Sequence, residues 1–344
     1  MMMPRRISRW RLSLALLVAV PACAPETAGR IEVRVDGAEA HAVLSLLEQR
    51  AGGAAPTAEA WTALWRTAGY TRLEQRERSL GRAFDTTAFR AFVLSDSLLA
   101  RRAALAQTLA AWESADARAA ATRAFAYLPP GARIRATIYP VIKPASNSFV
   151  FEVNTNPAIF LYIDPTVSAA KFENTLAHEL HHVGFAGACP EAAPMDSVRA
   201  QAVGWLSAFG EGVAMLAAAG GPDIHPHAVS EPDERARWDR DMQNLDADMA
   251  TLETFFTDVL DGRLQGHALT ERGMSFFGVQ GPWYTLGYAM ASAIERSAGR
   301  ARLVATLCDM PALLRAYNAA ALSLTEHGER LPRWSDGLLD RLSS

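Results

Sequence analysis

The chain has 344 residues, half of them hydrophobic and 21% charged, and its 34 basic against 37 acidic side chains give a formal charge of −3. That balance excludes a disordered chain, and the lack of glycine periodicity or sustained heptads excludes collagen and fibrous coiled coil. With no basic stripe there is no electrostatic footprint for nucleic acid, and the length allows one large domain or two modest ones.

The opening residues carry Arg5, Arg6, Arg9 and Arg11, then an apolar run beginning at Leu12 and ending at Ala22, then Cys23. Eleven residues are too few to cross a hydrocarbon layer of roughly 30 Å as a helix, so residues 1–22 read as an export signal. Val20-Pro21-Ala22-Cys23 resembles a bacterial lipobox, in which the cysteine becomes the lipidated first residue; plain secretion is the alternative. Either way the expected location is the bacterial cell envelope or beyond it. Loss of the signal takes the basic count from 34 to 30 against 37 acidic residues, a formal charge of −7. Membrane contact is expected only through an anchor at Cys23, since no later segment reads as a span. In an oxidising compartment Cys189 and Cys308 either pair or stay as two buried thiols.

Residues 37–127 are rich in Ala, Leu and Arg at helical spacing and predict a helical N-terminal region, closed by Leu128-Pro-Pro-Gly131. The period then changes: residues 134–139, 149–153 and 158–163 predict three strands. Asp164-Pro165 looks like a helix cap followed by proline at the first helical position, with the helix running to about Phe185. Residues 198–219 predict a second helical stretch ended by Gly220-Gly221-Pro222. Residues 233–260 predict a long amphipathic helix whose stripe of Trp238, Met242, Leu245, Met249, Leu252, Phe256 and Val259 faces a core. Two further helices cover residues 284–298 and 303–317, with Gly299 as a cap. The sum is an α+β fold, predominantly α-helical, with a small mixed or antiparallel sheet in its middle.

The helix after the sheet contains Ala177-His178-Glu179-Leu180-His181-His182. Four residues advance a helix by just over one turn, so His178 and His182 project from one face and can both reach one Zn²⁺, while Glu179 sits beside that face where it can take a proton from an attacking water. His181 points elsewhere, as a supporting or surface histidine. A catalytic zinc normally keeps three protein ligands. Glu211, in Phe209-Gly210-Glu211-Gly212-Val213-Ala214, is the candidate third: a lone carboxylate in an Ala/Leu/Met helix is costly to bury without a partner, the competing reading being a Glu on a wet helix edge. Its small neighbours Gly210, Gly212 and Ala214 predict close approach to the metal helix. His225, His227 and His267 have no ligand spacing and read as surface residues.

His-Glu-x-x-His followed 29 residues later by Glu-Gly-x-Ala resembles the gluzincin metallopeptidases, the thermolysin-related clan with two His and one Glu on zinc. The resemblance covers residues 134–295, and the order of motifs is similar to an uncharacterised bacterial family described as zinc-dependent peptidases. It implies zincin-like active-site helices beside the sheet, a metallopeptidase region over residues 130–340 continuous with residues 37–127, and a peptide or protein substrate. It implies zinc on His178, His182 and Glu211, with Glu179 as general base. The strand over residues 158–163, taken as an edge strand, would pair with an extended substrate. Tyr284, in Gly281-Pro282-Trp283-Tyr284, is the first choice of donor to the oxyanion, with an aromatic core role as the alternative for it and more so for Tyr288. Two departures stand out. Met215 replaces the Asp found four residues after the Glu ligand in thermolysin, so another partner must orient the histidines, and the Gly-x-Met-x-Asn motif of zinc aminopeptidases is missing. The rival reading is a non-catalytic zinc- or peptide-binding envelope lipoprotein that keeps the peptidase frame.

Overall fold

The computed structural model describes residues 29–190 and 195–343. The segment expected to be an export signal, residues 1–22, and Cys23 lie outside the described residues. Ile31–Val35 forms a strand, β1, not anticipated above, although Ile-Glu-Val-Arg-Val alternates apolar and polar residues as a strand does. Six helices follow: α1 (Ala38–Ala51), α2 (Ala58–Trp65), α3 (Ala68–Ser79), α4 (Thr86–Val93), α5 (Asp96–Glu113) and α6 (Ala117–Phe125). Five start at a residue made for it. Thr57, Thr67, Asp85, Ser95 and Asp116 each accept a hydrogen bond from the backbone N–H three residues on, meeting one of the donors a helix start leaves open.

The three expected strands are β2 (Ile134–Val141), β3 (Phe149–Phe151) and β4 (Ala158–Tyr162). The sheet is mixed, in the order β1-β2-β4-β3, with β1, β2 and β4 parallel and β3 antiparallel to β4. One sequence expectation fails here: β4 is no edge strand. Ala158, Ile159 and Phe160 are paired to β2 on one side and to β3 on the other, because the chain between β2 and β4 folds back as β3 and takes the outer position. The edges among the described residues are β1 and β3.

Helix α7 (Ala169–Phe185) ends where expected but begins later. Asp164 does not cap it; its Oδ1 accepts from Thr166 N at 3.0 Å, closing a turn of its own, and Ser168 caps the helix by accepting from Lys171 N. α8 (Ser197–Leu206) and α9 (Gly210–Ala219) are joined by a 3₁₀ turn, Ser207–Phe209, and Gly220 closes α9 at φ +93°. Ser197–Ala219 is long and apolar enough to cross a membrane by length and composition, but Leu206, Phe209, Val213 and Leu216 are buried in the fold. The helix expected over residues 233–260 is α10 (Pro232–Asp241) and α11 (Leu245–Leu260) about a second 3₁₀ turn. α12 (Gly266–Ser275), α13 (Pro282–Ala298), α14 (Arg300–Thr306), α15 (Met310–Glu326) and α16 (Asp336–Ser343) complete the chain. The helix expected over residues 303–317 is broken because Asp309 caps α15, accepting from Ala312 N.

Two large apolar cores result among the described residues, with a small third cluster of Leu73, Tyr139, Val141, Ala158 and Phe160 on the other face of the sheet. The first lies between the sheet and α1–α7, with Ile138, Leu161, Leu176 and Leu180 fully buried. The second gathers α8–α16 around Trp283, which is wholly buried among Phe209, Phe255 and Phe276 and donates from Nε1 to Gly273 O at 2.9 Å. Among the ties that join the two large cores are the packing of α6 and α7 on α9, a Cys189–Cys308 disulfide with Cα atoms 5.3 Å apart, and Lys171 of α7 donating to Ser230 and Glu234 at 2.6 and 2.8 Å. A bridge closing a loop this long contributes about 2–4 kcal/mol by limiting the unfolded chain.

The glycines of α9 serve a partner other than the one expected. Gly212 abuts α13, where an added Cβ would lie 2.0 Å from Tyr288 N and 2.3 Å from Gly287 C, whereas a Cβ on Gly210 would meet nothing. Backbone cannot move aside as a side chain can. Gly212→Ala is therefore expected to destabilise the fold by about 1–3 kcal/mol, while Gly210→Ala changes stability by less than about 1 kcal/mol, as read from denaturant midpoints of the two variants.

Candidate metal centre

Helix α7 is positioned by its apolar side: Phe172, Leu176, Ala177, Leu180 and Val183 enter the first core. Gly184 lets its last turn close on the strand below, since a Cβ there would meet Leu128 Cδ1 at 2.3 Å and Ile134 Cγ1 at 2.8 Å. This fixes the roll of the helix. His178 and His182, one turn apart, are thereby turned toward α9, where Glu211 stands in the first turn. Carboxylates are favoured at that end of a helix by the unpaired N–H groups.

The three side chains converge. Glu211 Oε2 lies 3.2 Å from His178 Nε2 and 3.2 Å from His182 Nε2, and the two Nε2 atoms are 3.1 Å apart. All three donor atoms lie within 4.8 Å of one another, and none of the residues is fully exposed. The chemistry of this donor set fits a cation. Two imidazole nitrogens facing each other can share only one proton between them, whereas two lone pairs and a carboxylate satisfy one ion together. Three ligand atoms about 2.0–2.2 Å from a tetrahedral zinc stand roughly 3.3 Å from each other, close to what is seen here.

The electrostatics follow from proximity. Burial pushes the Glu211 carboxyl up, but hydrogen bonds from His178 and His182 outweigh it and hold the group well below the usual carboxylate range. Burial alone would depress His182; its hydrogen bond to Glu211 and the charges of Glu211 and Glu179 raise it instead. His181 is buried behind this face with Nε2 3.3 Å from Tyr127 O, and burial together with the charge of His182 pushes it down to about 3. It is a neutral donor to a carbonyl and takes no part in the donor set. Tyr284, at the start of α13, stacks on His178 with ring centres 6.3 Å apart and planes 15° apart. Burial and the negative charges of Glu211 and Glu179 drive its phenol above the usual value, so it stays protonated.

The structure thus brings His178, His182, Glu211 and Tyr284 together, with Glu179 close enough for its charge to act on His182 and Tyr284. The partner expected to orient the histidines is not found: among the described residues His178 Nδ1 is buried without a hydrogen bond. Tyr288 is buried, as its core reading had it. His267 is exposed and His225 is half-buried beside Asp239, but His227 is no surface residue. It is 1% exposed, accepts or donates at Nδ1 to Ser230 Oγ at 2.9 Å, and is pushed down to about 4 by burial and by the Lys171 charge. Sequence reasoning missed this cluster of His227, Ser230, Glu234 and Lys171, which ties α7 to the segment before α10. Pro226 between two histidines, just ahead of a helix start, was its one faint signal.

Residues 60–326 match the family described as "Putative zinc dependent peptidase (DUF5700)". The chain belongs to this family, and zinc is the ion that both the family description and the donor set indicate. No curated protein matches the chain, and no solved structure does.

The purified protein is expected to carry about one equivalent of zinc, and His178→Ala to lose it, as measured by elemental analysis. His182 holds its proton above the ordinary imidazole value of 6.5, so protons compete with the metal from above that pH downward. Zinc affinity should accordingly fall as the pH is lowered toward and below 6.5, measured against a competing chelator.

Proposed function

We propose that this protein is a gluzincin-type zinc peptidase in which His178, His182 and Glu211 hold the metal and Glu179 is the general base. The observation that carries the proposal is the convergence of three ligand atoms from two helices, with a second carboxylate, Glu179, one residue after His178 on the first of them. When bound at such a set, zinc supplies a Lewis acid that polarises a carbonyl and brings the pKa of water toward 7.

The side chains divide the remaining work. Glu179 takes the proton of the attacking water and returns it to the leaving amine, acting as base and then as acid. Tyr284 offers a hydroxyl whose proton is held first by burial and then by the charges of Glu211 and Glu179, which suits a hydrogen-bond donor to a developing oxyanion. The stack of its ring on His178 keeps that hydroxyl beside the donor set. Glu211 belongs to the metal and cannot serve as base, because its lone pair is already directed at the two histidines. The substrate is a peptide or protein. Export and anchoring through Cys23 belong to the same proposal, and the Cys189–Cys308 bridge, a bond typical of oxidising compartments, supports that location.

Glu179→Gln is expected to keep its zinc and lose peptide hydrolysis by roughly 10²–10⁴-fold; near wild-type turnover in a zinc-loaded variant would remove Glu179 from the mechanism. Tyr284→Phe should lower kcat by roughly 10²–10³-fold with KM little changed, measured by steady-state kinetics on the same substrate.

A further inference from the structure

A cavity of about 680 Å³ opens beside the metal ligands, with His182 and Glu211 forming part of its wall. Most of the rest is apolar, chiefly Phe185 of α7, Trp205 of α8, Met274 of α12, Phe277, Leu307 and Met310, with His181, Gln201 and Ser207 as its uncharged polar members. Among the described residues it is lined by no Lys, Arg or Asp, and Glu211, its one carboxylate, is occupied with the histidines. Leu307 and Met310 flank Cys308, so the disulfide to Cys189 pins that wall to the segment leaving the metal helix.

We propose that this cavity is the specificity pocket of the enzyme and takes one bulky apolar side chain, aromatic or long aliphatic, from a residue flanking the cut bond. The inference rests on the peptidase reading above and names its substrate class. Contact with two ligands places whatever fills the cavity next to the reacting carbonyl. A charged side chain would be stripped of water there with no opposite charge to meet it. A small one would leave apolar walls without contacts, and each missing methylene in such a pocket costs roughly 10–200-fold in kcat/KM. Met274, which is 55% exposed, brings a flexible thioether able to fit side chains of different shape.

Gly204 of α8 is exposed at the edge of the cavity, and a Cβ built on it meets nothing within 4 Å, so a side chain can branch from this position without a clash at its root. The test has two arms. Cleavage sites of the zinc-loaded full chain are mapped in a peptide mixture: Phe, Leu, Met, Trp or Tyr should dominate at one of the two positions flanking the cut. In Gly204→Phe the ratio of kcat/KM for a Phe-containing over an Ala-containing substrate should fall at least tenfold, with zinc content unchanged. The second arm needs no turnover. Calorimetry on the metal-free protein should detect an acetylated Gly-Phe-Gly amide, with a negative heat-capacity change, and fail to detect its all-glycine counterpart; Gly204→Phe should abolish that binding. Chelator-sensitive cleavage with no apolar preference at either position, or a ratio unmoved by Gly204→Phe, overturns the pocket and leaves the peptidase reading standing. Absence of any chelator-sensitive cleavage overturns the peptidase reading itself.

Discussion

The arrangement of this molecule turns on one half-buried carboxylate at its centre. Glu211 stands in a helix whose other side chains are almost all apolar, at the meeting of two cores, and a carboxylate so placed is tolerated only if positive charge or hydrogen-bond donors converge on it. Two histidines of α7 do so, one turn apart, and for that α7 and α9 must pack side by side in a fixed register. The register is set away from the charge. On α7, Gly184 allows contact with Leu128 and Ile134; on α9, Gly212 allows backbone contact with α13. The same α9–α13 contact brings Tyr284 over His178, so the packing that satisfies Glu211 also delivers the phenol.

Much of this was legible in the sequence, where the signal is local. His178 and His182 announce a shared face through their spacing alone, and Glu211 announces itself by being out of character with its helix. The helical region over residues 37–127 and the strands near 134, 149 and 158 followed from hydrophobic period. What escaped depends on contacts far apart in the chain. Ile31–Val35 is too short for its alternation to stand out until β2 lies beside it, 103 residues away in register. β4 could be recognised as a strand, but no local pattern says whether its second edge is covered, and β3 covers it. Gly212 was read correctly as a point of close approach and assigned to the wrong neighbour, since small size tells that something comes near and not what. His227 was lost for a similar reason: it is buried against Trp238 and Glu234 of α10 and Ser230 of its own loop.

The chain has only two lysines, and neither is an ordinary solvated cation. Lys171 is committed to Ser230 and Glu234, holding the first turn of the metal helix to the second half of the molecule. Lys143 is 6% exposed at the end of β2, donates to Ala145 O and Asn147 Oδ1, and is pushed down to about 8, chiefly by burial. Close by, Glu39 accepts from Ile142 N and is raised to about 8 by its own burial. Elsewhere the basic side chains other than histidine are arginines, several of them in exposed pairs of the kind worth little individually.

The Cys189–Cys308 bridge also changes distances along the chain. From His182 to Tyr284 the polypeptide runs 102 residues, but a path through the disulfide is about 31, seven from His182 to Cys189 and 24 from Cys308 back to Tyr284. Shortening a flexible connection about threefold lowers the entropy cost of closing it by about 1 kcal/mol. The covalent bond therefore acts on the unfolded chain as an organiser of the candidate site: with the bridge formed, His182 and Tyr284 come together at a lower entropy cost than in the same sequence with free thiols.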